Sequence, residues 1–199
     1  VEDGEVDANY FQHLDYLEDF NEKNGTHLVS AAGIHYEPMG IFPGKDKSAT
    51  LDKIADGAKI AIPNDTTNEA RALQLLVAEG LIELDPEAGL EATPKDVTKN
   101  EHKIEFVEME AAALPTVLAD VDFAVINGNY SLGAGLTEAD GLAFEAADSE
   151  AAKTYTNALV VKEGNEDNPA IKKLVEALTS DECRAFLEEK YKGMVIPVF

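Results

Sequence analysis

The chain has 199 residues, 45% of them apolar, which is enough for the core of one compact domain or two small ones and argues against intrinsic disorder. Its 39 acidic and 16 basic residues give a formal net charge of −23. Such a surface repels phosphate backbones and anionic lipid, which argues against nucleic acid and a bare membrane surface as partners.

The sequence contains few groups that could carry catalysis or bind a metal. The single cysteine, Cys183, excludes an internal disulfide, and the four histidines show no metal-ligand spacing. We therefore expect no metal and no cofactor. No apolar run approaches the roughly 20 residues that cross a bilayer, and the chain begins without the pattern of a signal peptide. The protein is expected to be either cytosolic or the mature or trimmed part of an exported chain.

Strand and helix patterns alternate along the sequence. The predicted strands cover residues 6–11, 28–34, 39–42, 59–62, 104–109, 121–126 and 158–161. The predicted helices cover residues 13–23, 66–79, 111–118, 169–178 and 181–191, and two acidic segments, 85–100 and 135–148, are predicted as loops. This alternation predicts an α/β fold with mostly parallel strands.

Two predicted helices carry terminal signals. Thr66 and Glu69 have the spacing of a capping box, and Gly80 marks the end of that helix. The later helix has Asn168 as its cap and Pro169 at its first position. Its apolar residues recur at helical spacing and are predicted to be buried: Ile171, Leu174, Val175 and Leu178.

Polar and aromatic side chains gather where predicted strands meet helices, which is where open α/β sheets bind ligands. They include aromatics, side-chain amides and one arginine, Arg71, but no nucleophile with a base and an acid. This set favours recognition over catalysis. Arg71, with Asn68, is expected in the first turn of its helix, where a cation opposes the helix dipole. Either a small-molecule carboxylate binds it bidentately, or it pairs with Glu69, Asp65 or another surface acid.

Each of the other candidates also has a purely structural interpretation. His13 could cap its helix or lie exposed, while Phe11 and Tyr16 could belong to the core. Tyr10 is interpreted as a packing residue. Asn127 could form a turn with Gly128. His35, just after the predicted strand 28–34, is not included among the candidates.

Several blocks of the sequence resemble one family in order over nearly the whole chain. The most specific are "DANYFQH" and "AVINGNY", and "GAKIAIPNDTTNEARALQLL" is another. They are similar to the bacterial methionine-binding lipoproteins of the NLPA type, which are substrate-binding components of ABC importers. The resemblance implies a two-lobed periplasmic-binding-protein fold of type II that closes on its ligand. Lobe one would comprise residues 1–45 and 141–199, and lobe two residues 46–140.

The resemblance also implies a ligand-binding pocket. Its residues would be Phe11, His13, Tyr16, Asn68, Arg71, Asn127 and Asn157. Arg71 would hold the carboxylate of methionine, the asparagine amides would orient its charged groups, and the aromatics would enclose its thioether. L-methionine, D-methionine or a methionyl dipeptide would fit such a pocket.

The family places such a protein outside the cytoplasm, lipid-anchored and working with an ABC importer permease. The family's first strand, helix and strand, and its lipid-attachment cysteine, have no counterpart in this sequence. Lobe one could therefore be completed by another chain, or the protein could dimerise. The alternatives are a protein for another small amino acid, a surface interaction protein that keeps the fold, and, least favoured, an enzyme using His13 as a base.

Overall fold

The computed structural model describes residues 1–146 and 154–199, and its contacts divide the chain into two compact units. The terminal unit comprises Val1–Glu37 with Ala146–Phe199, and the middle unit is Pro38–Glu145. The units meet in sequence at 37/38 and 145/146, whereas the predicted lobe boundaries are at 45/46 and 140/141. The end of the predicted loop 135–148 lies outside the described residues.

The elements in chain order are as follows. The strands are β1 (Ala8–His13), β2 (Leu28–Tyr36), β3 (Gly40–Pro43), β4 (Lys59–Pro63), β5 (Glu83–Leu84), β6 (Val97–Lys99), β7 (Glu105–Met109), β8 (Phe123–Ile126), β9 (Ala143–Phe144), β10 (Thr156–Lys162) and β11 (Ile196–Pro197). The α-helices are α1 (Leu14–Asn24), α2 (Thr66–Ala78), α3 (Gly128–Gly133), α4 (Pro169–Leu178) and α5 (Asp181–Tyr191). Short 3-10 turns include Ala111–Val117, within the segment that the sequence predicts as helical.

The terminal unit contains one sheet with the strand order β1-β10-β2-β11, in which every pairing is antiparallel. β1 and β2 run in the same direction and are joined by α1, but β10 lies between them and runs the opposite way. α1 ends at Gly25, whose φ of 63° is left-handed and suits a residue without a side chain.

The middle unit is built on a sheet with the order β7-β4-β8-β3-β9. β4 is parallel to β7 and β8, whereas β3 is antiparallel to β8 and β9. Aliphatic side chains of β4 and α2 form its core, and they include Ile60, Ile62, Leu73 and Leu76. Within the predicted loop 85–100, β6 forms a strand and pairs antiparallel with β5, which lies just before that loop.

The prediction of an α/β fold is confirmed, but the prediction of mostly parallel strands is wrong. Only the two pairings of β4 are parallel among those of the described residues. α1 does join two strands of like direction, β1 and β2. In the terminal unit, however, β10 comes from a distant part of the sequence and separates them.

Two local predictions are also wrong. Asp65, not Thr66, is the N-cap of α2, because its side chain accepts the backbone N–H of Asn68, so Thr66 and Glu69 form no capping box. On α4, Leu174 is 40% exposed although Ile171 is buried. The apolar stripe of α4 is therefore wider than the surface that β2 covers.

Within the described ranges, none of the helices combines the length and apolar character that crossing a membrane requires.

Gly44 tests how tightly the middle unit is packed beside β3. A Cβ at this position would lie 2.1 Å from the carbonyl oxygen of Val121, and backbone cannot move aside as a side chain can. We expect Gly44→Ala to lower the free energy of unfolding by about 1–3 kcal/mol in chemical denaturation. Gly133→Ala is the matched control, since nothing lies within 4 Å of the place that a Cβ would take there. Equal effects of the two substitutions would contradict this account.

Candidate functional site

Two adjacent parallel strands bring three predicted site residues to one edge of the middle sheet. β4 leads through Asp65 into α2, which carries Asn68 and Arg71, and β8 leads through Asn127 into α3. Since β4 and β8 are parallel neighbours, their carboxyl ends meet at the same edge. The side chains do meet there: the Asn127 amide donates a hydrogen bond to Asn68 Oδ1 at 2.7 Å.

Asn68 is held by the cap of its own helix. Asp65 Oδ1 accepts both the Asn68 backbone N–H, at 3.1 Å, and the Asn68 side-chain amide, at 2.9 Å. The Asn68 amide therefore points its oxygen at Asn127. In this part of the described chain Asn127 Oδ1 is buried and accepts no hydrogen bond. A buried acceptor of this kind can receive a donor from a ligand.

Arg71 has a protein carboxylate as its partner. Its Nε donates to Glu145 Oε1 at 2.8 Å and its Nη2 to Glu145 Oε2 at 2.6 Å, a bidentate ion pair. The two side chains are only 4% and 7% exposed. The sequence suggests Glu69, Asp65 or a surface acid, but this partner is a buried acid 74 residues away. Arg71 is also the sixth residue of α2, beyond the first turn where the helix dipole acts most strongly.

Glu145 is itself fixed by a third donor. The Met39 backbone N–H donates to Glu145 Oε2 at 2.7 Å, and the Glu145 backbone N–H donates to the Met39 carbonyl at 3.0 Å. The two ends of the middle unit are thereby joined beside the Arg71 side chain.

Glu69, two residues before Arg71, is a second buried charge-bearing group on α2. Burial raises its pKa from 4.5 to about 7, and a hydrogen bond with the Glu108 carboxyl and the nearby negative charges of Glu108 and Asp65 act in the same direction. Lys95 opposes them. Residues two apart lie on different sides of a helix, which is why Glu69 does not take the place of Glu145.

In the terminal unit, His13 and Asn157 are neighbours across β1 and β10. Both are buried, at 7% and 8% exposure. His13 is the N-cap of α1, since its Nδ1 accepts the Tyr16 backbone N–H at 3.0 Å. An accepting Nδ1 in a neutral ring leaves the proton on Nε2, so His13 offers a donor there. Tyr155 packs edge-on against the His13 ring, with centroids 5.2 Å apart.

The predicted aromatic site residues, Phe11 and Tyr16, line a different part of the terminal unit from His13 and Asn157. Phe11 and Tyr16 are in edge contact, with ring centroids 6.1 Å apart, and Tyr16 stacks on Phe20. All three line a cavity of about 380 Å³ between β1 and α1. Phe11 is 66% exposed, so it is no core residue. Neither His13 nor Asn157 lines this cavity, although the His13 and Tyr16 rings are in edge contact.

Tyr10, interpreted from the sequence as a packing residue, belongs to a hydrogen-bonded chain with His35 and Glu37. The Tyr10 hydroxyl bonds His35 Nδ1, and His35 Nε2 lies 2.7 Å from Glu37 Oε1. Burial raises the pKa of Tyr10, and the charge of Glu37 raises it further. The phenol therefore stays protonated and donates a hydrogen bond to His35 Nδ1, and in the tautomer that this requires the His35 Nε2–H donates to Glu37 Oε1.

Sequence reasoning did not identify Glu145 or Tyr155. Glu145 lies in a segment predicted as an acidic loop, and nothing in its spacing links it to Arg71. Tyr155 lies two residues before Asn157. Residues two apart in a strand share a face, and this spacing was the signal that could have placed Tyr155 beside Asn157. The assignment of the seven predicted site residues to ligand binding stays a prediction.

Comparison with known proteins identifies the class. The NlpA lipoprotein family model matches residues 1–199. The membrane lipoprotein TpN32 of Treponema pallidum is 43% identical over 96% of this chain and 69% of its own length. The D-methionine-binding lipoprotein MetQ of Escherichia coli K12 is 39% identical over 96% of this chain and 69% of its own.

Solved structures agree. A lipoprotein of Ruminococcus gnavus is 56% identical, with a TM-score of 0.95 over 100% of this chain and 82% of its own. A nutrient-binding protein of Burkholderia cenocepacia bound to methionine is 40% identical, with a TM-score of 0.93 over 100% and 81%. A periplasmic substrate-binding protein of an ABC transporter from Coxiella burnetii is 40% identical, with a TM-score of 0.91 over 99% and 81%.

The fold is thus that of the periplasmic substrate-binding proteins, which bind small molecules and are not enzymes. Within this class, the chain belongs to the NlpA lipoprotein family.

The raised pKa of Glu69 makes stability depend on pH. Because the folded state holds this proton up to about pH 7 and the unfolded state releases it near 4.5, its contribution is complete below pH 4.5 and is lost as the pH rises to 7. Glu69→Gln, which mimics the protonated acid, should therefore raise the free energy of unfolding at pH 8 by on the order of 1–3 kcal/mol. At pH 4.5 it should change little.

Denaturant titrations at the two pH values provide the measurement. Glu105→Gln, at an exposed position at the start of β7, is the control and should show no such difference between pH 4.5 and pH 8. A Glu69→Gln protein that is destabilised equally at both pH values would refute the assignment.

Proposed function

We propose that this protein captures methionine outside the cytoplasm for uptake by an ABC importer. The observation that carries the proposal is the likeness over the whole chain to a protein solved with methionine bound, in a fold whose middle sheet gathers Asn68, Arg71 and Asn127. The ligand is L-methionine or a close relative such as D-methionine or a methionyl dipeptide. The name of the Escherichia coli relative supports the D-isomer as a candidate.

The charges around Arg71 favour a zwitterion. Arg71 and Glu145 together carry no net charge, so the site attracts neither a net cation nor a net anion strongly. In the proposed complex the ligand carboxylate pairs with the planar Arg71 guanidinium, and the ligand ammonium donates to the buried Asn127 Oδ1. An amino acid satisfies both.

Residues of the terminal unit are proposed to take the remaining parts of the ligand. Asn157 and the Nε2–H of His13 offer polar groups on neighbouring strands. Phe11 and Tyr16 offer ring surfaces, and contacts between a thioether sulfur and aromatic rings contribute about 0.3–1.5 kcal/mol. The edge contact between the Phe11 and Tyr16 rings supports this role.

The proposed partners follow from the relatives. Transport requires an ABC importer permease, and the Coxiella burnetii protein belongs to such a transporter. The lipoprotein relatives support attachment to a membrane through a lipid, at the cell surface or in the periplasm.

A thermal-shift panel of amino acids tests the ligand. Methionine at a hundredfold excess over its Kd should add about 2.7 kcal/mol to the free energy of unfolding, which is several degrees for a domain of this size. Both isomers, methionyl dipeptides, leucine and glutamate form the panel. A saturable shift with another small amino acid, or no preference at all, would contradict methionine as the ligand.

The role of Arg71 requires a variant that still folds. Arg71→Ala alone would leave the buried Glu145 carboxylate without its balancing positive charge, which costs about 3–5 kcal/mol. The double variant Arg71→Met with Glu145→Gln removes both charges, and its glutamine oxygen can still accept the Met39 N–H. We expect methionine binding weakened by at least ~1.5 kcal/mol in calorimetry, because a charge-assisted hydrogen bond is lost.

The matched control is Lys99→Met with Glu101→Gln, which removes an exposed ion pair of the same unit. Its affinity for methionine should equal that of the wild type. Undiminished binding by the Arg71 double variant would show that the ligand carboxylate is held elsewhere.

A further inference from the structure

Arg71 is among the most buried charged residues of the middle unit, and one carboxylate, that of Glu145, binds its guanidinium bidentately. Glu145 engages the guanidinium at two nitrogens, which fixes the plane of the group as well as its position. A single hydrogen bond would leave the plane free to turn about that bond.

The Glu145 carboxylate is in turn held from the backbone. The Met39 N–H donates to the same oxygen that accepts Arg71 Nη2, and the Glu145 and Met39 backbones are hydrogen-bonded to each other. β9 ends just before Glu145 and pairs with β3, so the Glu145 backbone continues this strand pairing. The position of the Glu145 side chain is therefore fixed by its backbone. The orientation of Arg71 is transmitted from this backbone through the carboxylate.

We propose that Glu145 is a positioning residue for ligand recognition: it holds the Arg71 guanidinium in the orientation that receives the carboxylate of the amino-acid ligand. This inference rests on the proposed function. It also assigns a specificity role, because a ligand without a carboxylate gains nothing from an oriented guanidinium.

The substitution Glu145→Gln separates orientation from space filling. Glutamine has almost the same shape, but its NH₂ group would face an Arg71 N–H, donor against donor. The oxygen can satisfy the Met39 N–H, so one half of the arrangement survives. Arg71 then keeps its charge but loses one of the two hydrogen bonds by which Glu145 fixes its plane.

Ligand discrimination gives the first measurement. In the wild type, methionine should bind more tightly than methioninamide, which has no carboxylate charge. In Glu145→Gln the ratio of the two Kd values should fall by about tenfold or more, as expected when a charge-assisted contact is lost. Glu138→Gln removes an exposed acid of the same unit and should keep the wild-type ratio. General damage to the fold would weaken both ligands alike and leave the ratio unchanged, which would overturn the proposal.

Nitrogen NMR gives a second measurement that needs no ligand. The chain has only two arginines, Arg71 and Arg184, so Arg184→Lys assigns their side-chain signals. In the wild type the Nη signals of Arg71 should be separate, because the bidentate pair prevents rotation of the guanidinium. In Glu145→Gln they should merge. Separate signals in Glu145→Gln would overturn the proposal whatever the binding data show.

The two measurements also distinguish this inference from the function on which it rests. If the wild type binds no methionine, the proposed function fails, and the part of this inference that concerns the ligand fails with it. If the wild type prefers methionine to methioninamide and Glu145→Gln keeps that preference, the function stands and the positioning role is refuted.

Discussion

The buried ion pair between Arg71 and Glu145 is the interaction on which the middle unit's candidate site depends. A guanidinium that is almost fully removed from water is tolerated only with a carboxylate in good geometry and with further hydrogen bonds around it. Here the carboxylate is that of Glu145, at the far end of the unit. The Met39 backbone N–H gives this carboxylate a further hydrogen bond. The same contact that permits the buried cation therefore also joins α2 to both ends of the unit.

Three ionisable residues at the start of α2 show how strongly surroundings determine chemistry. Asp65 is partly exposed and accepts hydrogen bonds as a helix cap. Glu69 is buried beside another carboxyl, and its pKa is raised to about 7. Arg71 is buried and charged because Glu145 balances it. These residues lie within seven positions of the sequence, and the strand or segment facing each one decides whether it is charged, neutral or paired.

Local signals in the sequence predicted most of the elements. α4 and α5 begin where Asn168 and Ser180 cap them, and α1 ends at its glycine, because caps and glycines act through neighbouring residues. The prediction of a capping box at the start of α2 was wrong because two adjacent polar residues, Asp65 and Thr66, could each be the N-cap. Asp65 has the extended backbone of an N-cap, whereas Thr66 is already helical. The prediction that Leu174 is buried was wrong because periodicity shows which residues share a helix face, not how much of that face is covered.

Features that depend on distant parts of the chain could not be predicted in this way. β10 separates β1 from β2, and no local pattern announces a strand inserted from more than 100 residues away. The same is true of Glu145, which is ordinary in its own segment. The resemblance to a family supplied the candidate residues His13 and Asn157, and the structure makes them cross-strand neighbours. The hydrogen bonds that surround such residues come only from the three-dimensional arrangement.

The position of β10 also has a consequence for biosynthesis. Residues 1–37 leave the ribosome long before β10, the strand that joins β1 to β2, so this sheet cannot assemble at that stage. The middle unit is continuous in sequence and its ends pair with each other, so it can be completed earlier. Long-range strand pairing is slow, and unpaired strand edges invite aggregation. The edges of β1 and β2 thus need protection until β10 has been synthesised.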